Sequence, residues 1–234
     1  MKFCFENLIW GFSEKKDGTM ILKHTDQVQK NLENRQRYFA KLGISLDNLV
    51  STELIHGNNV EVVDRSNKGQ IIADSDGLVT DQKNLFLCIT AGDCVPIYFY
   101  DHKKEIIGIV HAGWRGVVKN IAGSLIEKMT NEYQAKPEDI VVYIGPHLKK
   151  CHFEVKQDVK DQFEDYPNFI IVDNNRIMID LLGIIKKQLT EAGVNESNIN
   201  TSDLCTYCEE DRYFSYRRDK PSNVEGMIAY IGMR

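Results

Sequence analysis

Gly108-Ile109-Val110-His111-Ala112-Gly113-Trp114-Arg115-Gly116 is the stretch on which the reading of this chain turns. Just upstream, Glu105-Ile106-Ile107-Gly108-Ile109-Val110 is a short apolar run rich in β-branched residues, the pattern of a buried strand. Downstream, Val117, Ile121, Leu125 and Met129 recur near helical spacing, which predicts a helix over 117–129. His111 therefore stands where a strand ends and a helix is about to begin, and open α/β sheets keep their ligands at such ends. Gly113 and Gly116 permit a tight turn and the close approach of a ligand. Arg115 offers a planar fork of donors suited to a carboxylate or a phosphate.

Two earlier stretches have the same character. Thr90-Ala91-Gly92-Asp93-Cys94-Val95-Pro96-Ile97 lies between the apolar runs 85–89 and 97–100, and His56-Gly57-Asn58-Asn59 leads into the strand-like run 60–63. A single His at a strand end is ordinarily a satisfied polar group. Here His56, Cys94 and His111 all stand at strand edges beside glycine-containing turns. Two His and one Cys form a three-ligand set for zinc with the fourth position open, as in a catalytic site. The same donors are the type of a blue-copper site. An ordinary multicopper oxidase also needs a His-rich trinuclear cluster, which six scattered His do not supply. Cys94 beside His111 can alternatively be a nucleophile with its base. A non-enzymatic protein with structural zinc is disfavoured, because closed structural sites use four protein ligands.

A length of 234 residues suits one large domain or two small ones, and a core of that size needs no disulfide staples. The net charge of −5 leaves no overall basic footprint for nucleic acid. No apolar segment approaches membrane-spanning length. The start, Met1-Lys2-Phe3-Cys4-Phe5-Glu6-Asn7, loses apolar character too soon for a secretory signal. A cytoplasmic location is expected, with the six Cys as thiols or metal ligands rather than a disulfide framework.

The motifs His56-Gly57, Asp93-Cys94-Val95-Pro96-Ile97, His111-Ala112-Gly113-Trp114-Arg115-Gly116, Ile144-Gly145-Pro146 and Phe214-Ser215-Tyr216-Arg217-Arg218-Asp219 occur in this order. Together they resemble the laccase-domain family, also called YfiH-like or the multicopper polyphenol oxidoreductase family. The resemblance implies one α/β (α+β) domain over 1–234, a layered α-β-β-α sandwich similar to the YfiH-like cysteine hydrolase fold. It implies zinc, with copper as an alternative, on His56, Cys94 and His111. It further implies phosphorolysis of adenosine, inosine and methylthioadenosine to base and ribose 1-phosphate, and deamination of adenosine to inosine. Purine nucleosides and phosphate are then the partners, with neither nucleic acid nor membrane, and the chain is expected as a monomer or small homo-oligomer. On that reading Cys94, Asp93 and His111 are the catalytic residues, Asp93 carrying a proton beside the metal, and Arg115 or Arg217 holds the phosphate. The other activities associated with the family are copper-dependent polyphenol oxidation and hydrolytic editing of a cell-wall precursor by Cys or zinc. Two departures stand out. Gly92 is inserted before Asp93, and Asn223-Val224-Glu225-Gly226-Met227 lacks the Arg that the family usually carries before its last strand.

The rest of the chain reads as connecting elements. Strands are expected over 8–12, 140–144, 170–172 and 227–231, and helices over 26–42, 155–163 and 179–192. His24 falls in a loop as a bystander. The Asp-rich run 73–80 reads as a turn, and the resemblance sets Asp76 near the ligands. Cys151 and His152 are adjacent and would point to opposite faces of a strand, so they can share an ion only from a loop; no second metal site is expected there. Cys205-Thr206-Tyr207-Cys208 is a lone C-x-x-C without a second pair, so Cys205 is assigned to packing and Cys208 no role. Spacing alone makes Arg217-Arg218-Asp219 a surface ion pair. The resemblance turns one of these Arg toward the cleft.

Overall fold

In the computed structural model residues 2–23 and 25–234 are described. His24 lies outside the described residues. Two sheets form the centre. One has six strands in the order 199–201, 140–144, 95–101, 106–112, 77–80, 60–62, and the other five in the order 8–12, 227–233, 86–91, 49–52, 71–72.

Strand alternation explains how the layers stack. In Val95–Asp101, Ile97 and Phe99 point to one side, and Tyr98 and Tyr100 to the other. In Ile106–Ala112, Ile106, Val110 and Ala112 share the first side, and Ile107 and Ile109 the second. The first side packs on the helices Ile121–Tyr133 and Leu181–Glu191 through Leu125, Met129, Ile184, Ile185 and Leu189. The second side meets Leu87, Ile89, Ala229 and Ile231 of the five-stranded sheet. The far face of that sheet, through Phe86, Cys88, Ile228 and Tyr230, packs on Phe39 and Tyr38 of the helix Val28–Ala40. The result is the α-β-β-α sandwich. Both central sheets are buried on two faces, so their strands read as nearly continuous apolar runs. A third small sheet, formed by 154–155, 170–173 and 176–179, lies outside these layers.

The structure departs from the sequence pattern at one informative place. The helix expected over 117–129 is two helices, Trp114–Val118 and Ile121–Tyr133. Asn120 between them adopts φ 58°, and its side chain accepts a hydrogen bond from the Gly123 amide. Asn tolerates this left-handed conformation and is a strong N-cap, so it ends one helix and starts the next within the same apolar repeat. The expected helix over 155–163 is a single turn, Gln157–Lys160, followed by a short 3₁₀ segment. Strands at 71–72, 176–179 and 199–201 were too short to register as periodic signals. The 77–80 strand lies inside the run read as a turn.

Leu125 is fully buried where the Ile121–Tyr133 helix meets the six-stranded sheet. Leu125→Ala is expected to cost about 2–5 kcal/mol, seen in urea unfolding as a lower midpoint at unchanged slope. A loss below about 1 kcal/mol would show that the site collapses around the deletion.

Candidate metal and active site

His111 is the sixth residue of the strand Ile106–Ala112 and alternates onto the face of Ile107 and Ile109. It is buried at the edge of the space between the sheets. Cys94 directly precedes the strand Val95–Asp101, whose Pro96 is registered against His111. His56 sits in the turn before the strand Val60–Val62, with φ 57°. The ligand atoms of His56, Cys94 and His111 all lie within 4.8 Å of one another. His56 is exposed and Cys94 half-buried, so the group opens to one side.

Asp76 holds the group together. It is fully buried, and the His111 Nδ1–H donates to its Oδ1 at 2.9 Å. Its carboxylate also accepts the backbone N–H groups of His56 at 3.0 Å, Gly57 at 2.7 Å and Ile55 at 3.3 Å. One carboxylate therefore orients the His111 ring and folds the turn that carries His56. With Nδ1 engaged, Nε2 of His111 is the nitrogen left for the cluster. Burial pushes the Asp76 carboxyl up, but the His111 ring and these amides outweigh it and hold it below its usual range. At Gly113 a Cβ would lie 3.1 Å from the His56 ring, 3.3 Å from Cys94 Sγ and 3.4 Å from the His111 ring. Glycine at that position leaves the three donors room to converge.

Burial alone would raise the Cys94 thiol, yet His111 and His56 outweigh it and bring it down to about 6. Burial would lower His111, while Cys94 and Asp76 raise it to about 9. In the metal-free protein the pair is thus a thiolate beside an imidazolium, the state that makes Cys both a nucleophile and a metal ligand.

The cluster opens into a cavity of about 430 Å³. Its walls include Ile21, Leu54, Leu148, Phe153, Tyr216 and Val224, together with Asp93, Arg217 and Glu225. Arg217 donates from Nη1 to the carbonyls of Glu154 at 2.7 Å and His152 at 3.1 Å, and its guanidinium lies over the Phe153 ring. Arg115 is exposed, stacks on the Trp114 ring at 4.2 Å and lies outside the cavity wall. Asp93 accepts the Thr206 hydroxyl on Oδ1 and the Arg217 backbone N–H on Oδ2, each at 2.7 Å. The Gly92 before it is dictated by crowding, since a Cβ there would stand 2.6 Å from the Glu225 carbonyl oxygen. Val224 and Glu225 line the cavity. The Thr206–Asp93–Arg217 linkage is not legible in the sequence, because Asp93 lies 113 residues from Thr206 and 124 from Arg217.

A family model described as multi-copper polyphenol oxidoreductase laccase matches residues 7–234. The chain belongs to that family. Purine nucleoside phosphorylase YlmD of Geobacillus stearothermophilus is 34% identical over 214 residues, spanning 86% of this chain and 78% of that protein. Adenosine deaminase RL5, from an unknown prokaryotic organism, is 32% identical over 206 residues, spanning 82% of this chain and 78% of that one. The crystal structure of the hypothetical protein YfiH of Bacillus licheniformis superposes with a TM-score of 0.92 at 28% identity, over 97% of this chain and 93% of that one. The family members named here for their chemistry are enzymes, and so is this chain. Among the described residues no helix is long and apolar enough to cross a membrane.

In chelator-treated protein, iodoacetamide labelling of Cys94, read by peptide mass mapping, is expected to reach half its maximal rate at a pH of about 6. A half-point at the ordinary thiol value of about 8.5 would show that the two His do not stabilise the thiolate.

Proposed function

We propose that this chain is a zinc enzyme of purine nucleosides. It cleaves adenosine, inosine and methylthioadenosine with phosphate to the base and the corresponding ribose 1-phosphate, and deaminates adenosine to inosine. The observation that carries this reading is a Cys-His-His donor set opening on a largely apolar cavity.

The residues fit zinc. One thiolate and two imidazoles with an open fourth position form a catalytic donor set. The Asp76 carboxylate behind His111 is the usual partner of a metal-binding imidazole, fixing its tautomer and ring orientation. When bound, zinc supplies Lewis acidity and a water that ionises near neutral pH. His56, Cys94 and His111 hold it. The same donors accept copper. Among the described residues, however, neither potential metal-binding group gathers three His, which disfavours the trinuclear chemistry of a polyphenol oxidase.

The cavity supplies the remaining roles. Leu54, Phe153 and Tyr216 offer apolar and aromatic surface for a purine ring. Arg217, rather than Arg115, is assigned to phosphate, because it lines the cavity and its guanidinium is held there by two carbonyls. Each oxygen of Asp93 keeps a lone pair beyond its bond to Thr206 or Arg217. Asp93 can therefore position the 216–219 turn and still exchange a proton with the purine.

A second reading is favoured by one observation, the placement of His111 between Cys94 and Asp76. Nucleophile, base and orienting carboxylate are the parts of a cysteine hydrolase, whose substrate would be a cell-wall precursor. Iodoacetamide separates the two. A zinc ligand is shielded in the metal-loaded protein and labelled after chelation. A nucleophile is labelled, with loss of activity, while zinc stays bound.

Chromatography of zinc-loaded protein with adenosine and phosphate is expected to show adenine and ribose 1-phosphate, and inosine when phosphate is omitted. Arg217→Gln should raise KM for phosphate about 10–100-fold, corresponding to one charge-assisted hydrogen bond, while sparing deamination. Absence of both adenine and inosine with zinc-loaded protein would overturn the nucleoside reading.

A further inference from the structure

A second group of metal-binding side chains lies apart from the Cys94 cluster. Cys151 and His152 fall in the turn after Lys150, and Cys205 and Cys208 in the loop after the strand Ile199–Thr201. The ligand atoms of these four residues lie within 4.8 Å of one another. Cys151 Sγ is 3.7 Å from Cys205 Sγ, and His152 Nδ1 is 3.2 Å from Cys151 Sγ and 3.4 Å from Cys208 Sγ. A tetrahedral zinc ion with bonds of about 2.3 Å to sulfur and about 2.0 Å to nitrogen sets its ligands ~3.5–3.8 Å apart. The sulfur–sulfur separation of 3.7 Å falls in that range, and the two sulfur–nitrogen separations, 3.2 and 3.4 Å, lie just inside it.

The expectation that Cys151 and His152 cannot share an ion assumed a strand, whereas they occupy a turn, where neighbouring side chains need not diverge. Cys208, assigned no role from sequence, completes the set. The surroundings suit a bound ion. The His152 ring stacks on Tyr207 at 3.9 Å and 11°, which fixes its plane. Cys205 is buried, and the other three residues are at or near the surface, so an ion has a way in.

We infer that Cys151, His152, Cys205 and Cys208 form a second, structural zinc site that clamps the wall of the cavity. Four protein donors close the coordination shell and leave no position for substrate. The clamp acts through Thr206, inside the C-x-x-C, whose hydroxyl holds Asp93. It acts also through Arg217 and Arg218. The first grips the His152 carbonyl, and the second the carbonyls of Thr206 and Tyr207. The turn bearing Phe153 and the loop bearing Thr206 meet at the His152–Tyr207 stack and at the bridge between His147 and Cys205. An ion between them joins both to the side chains that line the cavity. The inference does not depend on the nucleoside reading.

The test uses Cys94→Ala, which removes the central thiolate, purified under a phosphine reductant and titrated with cobalt(II). The expected result is about one tightly held cobalt per chain, with the thiolate charge-transfer band and intense visible bands of a tetrahedral sulfur-rich site. These bands are lost when Cys151→Ser and Cys208→Ser are added, with the circular dichroism unchanged as a check on folding. Zinc in the wild-type protein should fall from about two per chain to about one in the Cys151→Ser/Cys208→Ser variant. No sulfur-to-cobalt band in Cys94→Ala, or a band that survives the two serine substitutions, overturns the inference. So does a Cys205–Cys208 disulfide found by mass in protein purified without reductant and still holding its full zinc.

Discussion

The site depends on one buried carboxylate. Asp76 carries its charge in a fully enclosed position, which is costly unless every lone pair is used. It is tolerated because the His111 ring and the amides of His56, Gly57 and Ile55 all point at it. The same bonds set where the donors stand. His111 belongs to a rigid central strand, while His56 belongs to a turn, at φ 57°, whose amides close on this carboxylate. Losing Asp76 would remove both the ring's orientation and the turn's shape, leaving Cys94 without converging partners.

The rest of the architecture keeps that carboxylate dry and its partners in register. The two sheets bury each other's apolar faces, and helices cover the outer faces, so the strand ends at the seam are held within small tolerances. His111 and Cys94 come from neighbouring antiparallel strands, and Gly113 leaves their side chains room. The cavity forms where the seam opens, with apolar walls from both halves of the chain and charge confined to Asp93, Arg217, Glu225 and the cluster itself. This combination of a focused polar centre and an apolar wall suits a flat, heteroaromatic substrate held against a reactive group.

The loops outside the sandwich do a different job. Asp93 holds the Thr206 hydroxyl and the Arg217 amide on one side of the cavity, and Arg217 in turn holds the carbonyl of His152. Loop segments carry few buried contacts of their own and are the least stable parts of a fold. Cross-links of this kind give them the rigidity that the strands get from packing.

By itself the sequence determined the elements whose pattern is local. The apolar runs announced the strands 8–12, 86–91, 95–101, 106–112, 140–144 and 227–233, the helical repeats announced the helices 28–40 and 181–191, and the glycine-flanked His56, Cys94 and His111 announced a convergent donor set. Each of these is legible because strand and helix periodicity reports on which side of its own element a residue lies. It does not report which distant element that side will meet. Only the tertiary structure decided that Asp76 meets His111 on the neighbouring paired strand, that Arg217 lines the cavity while Arg115 stacks on Trp114, and that Asn120 splits one helical repeat into two. The gathering of Cys151, His152, Cys205 and Cys208 is of the same kind. Cys151 and Cys205 are 54 residues apart in the chain, and a turn makes neighbours of the Cys151 and His152 side chains that a strand would have set on opposite faces.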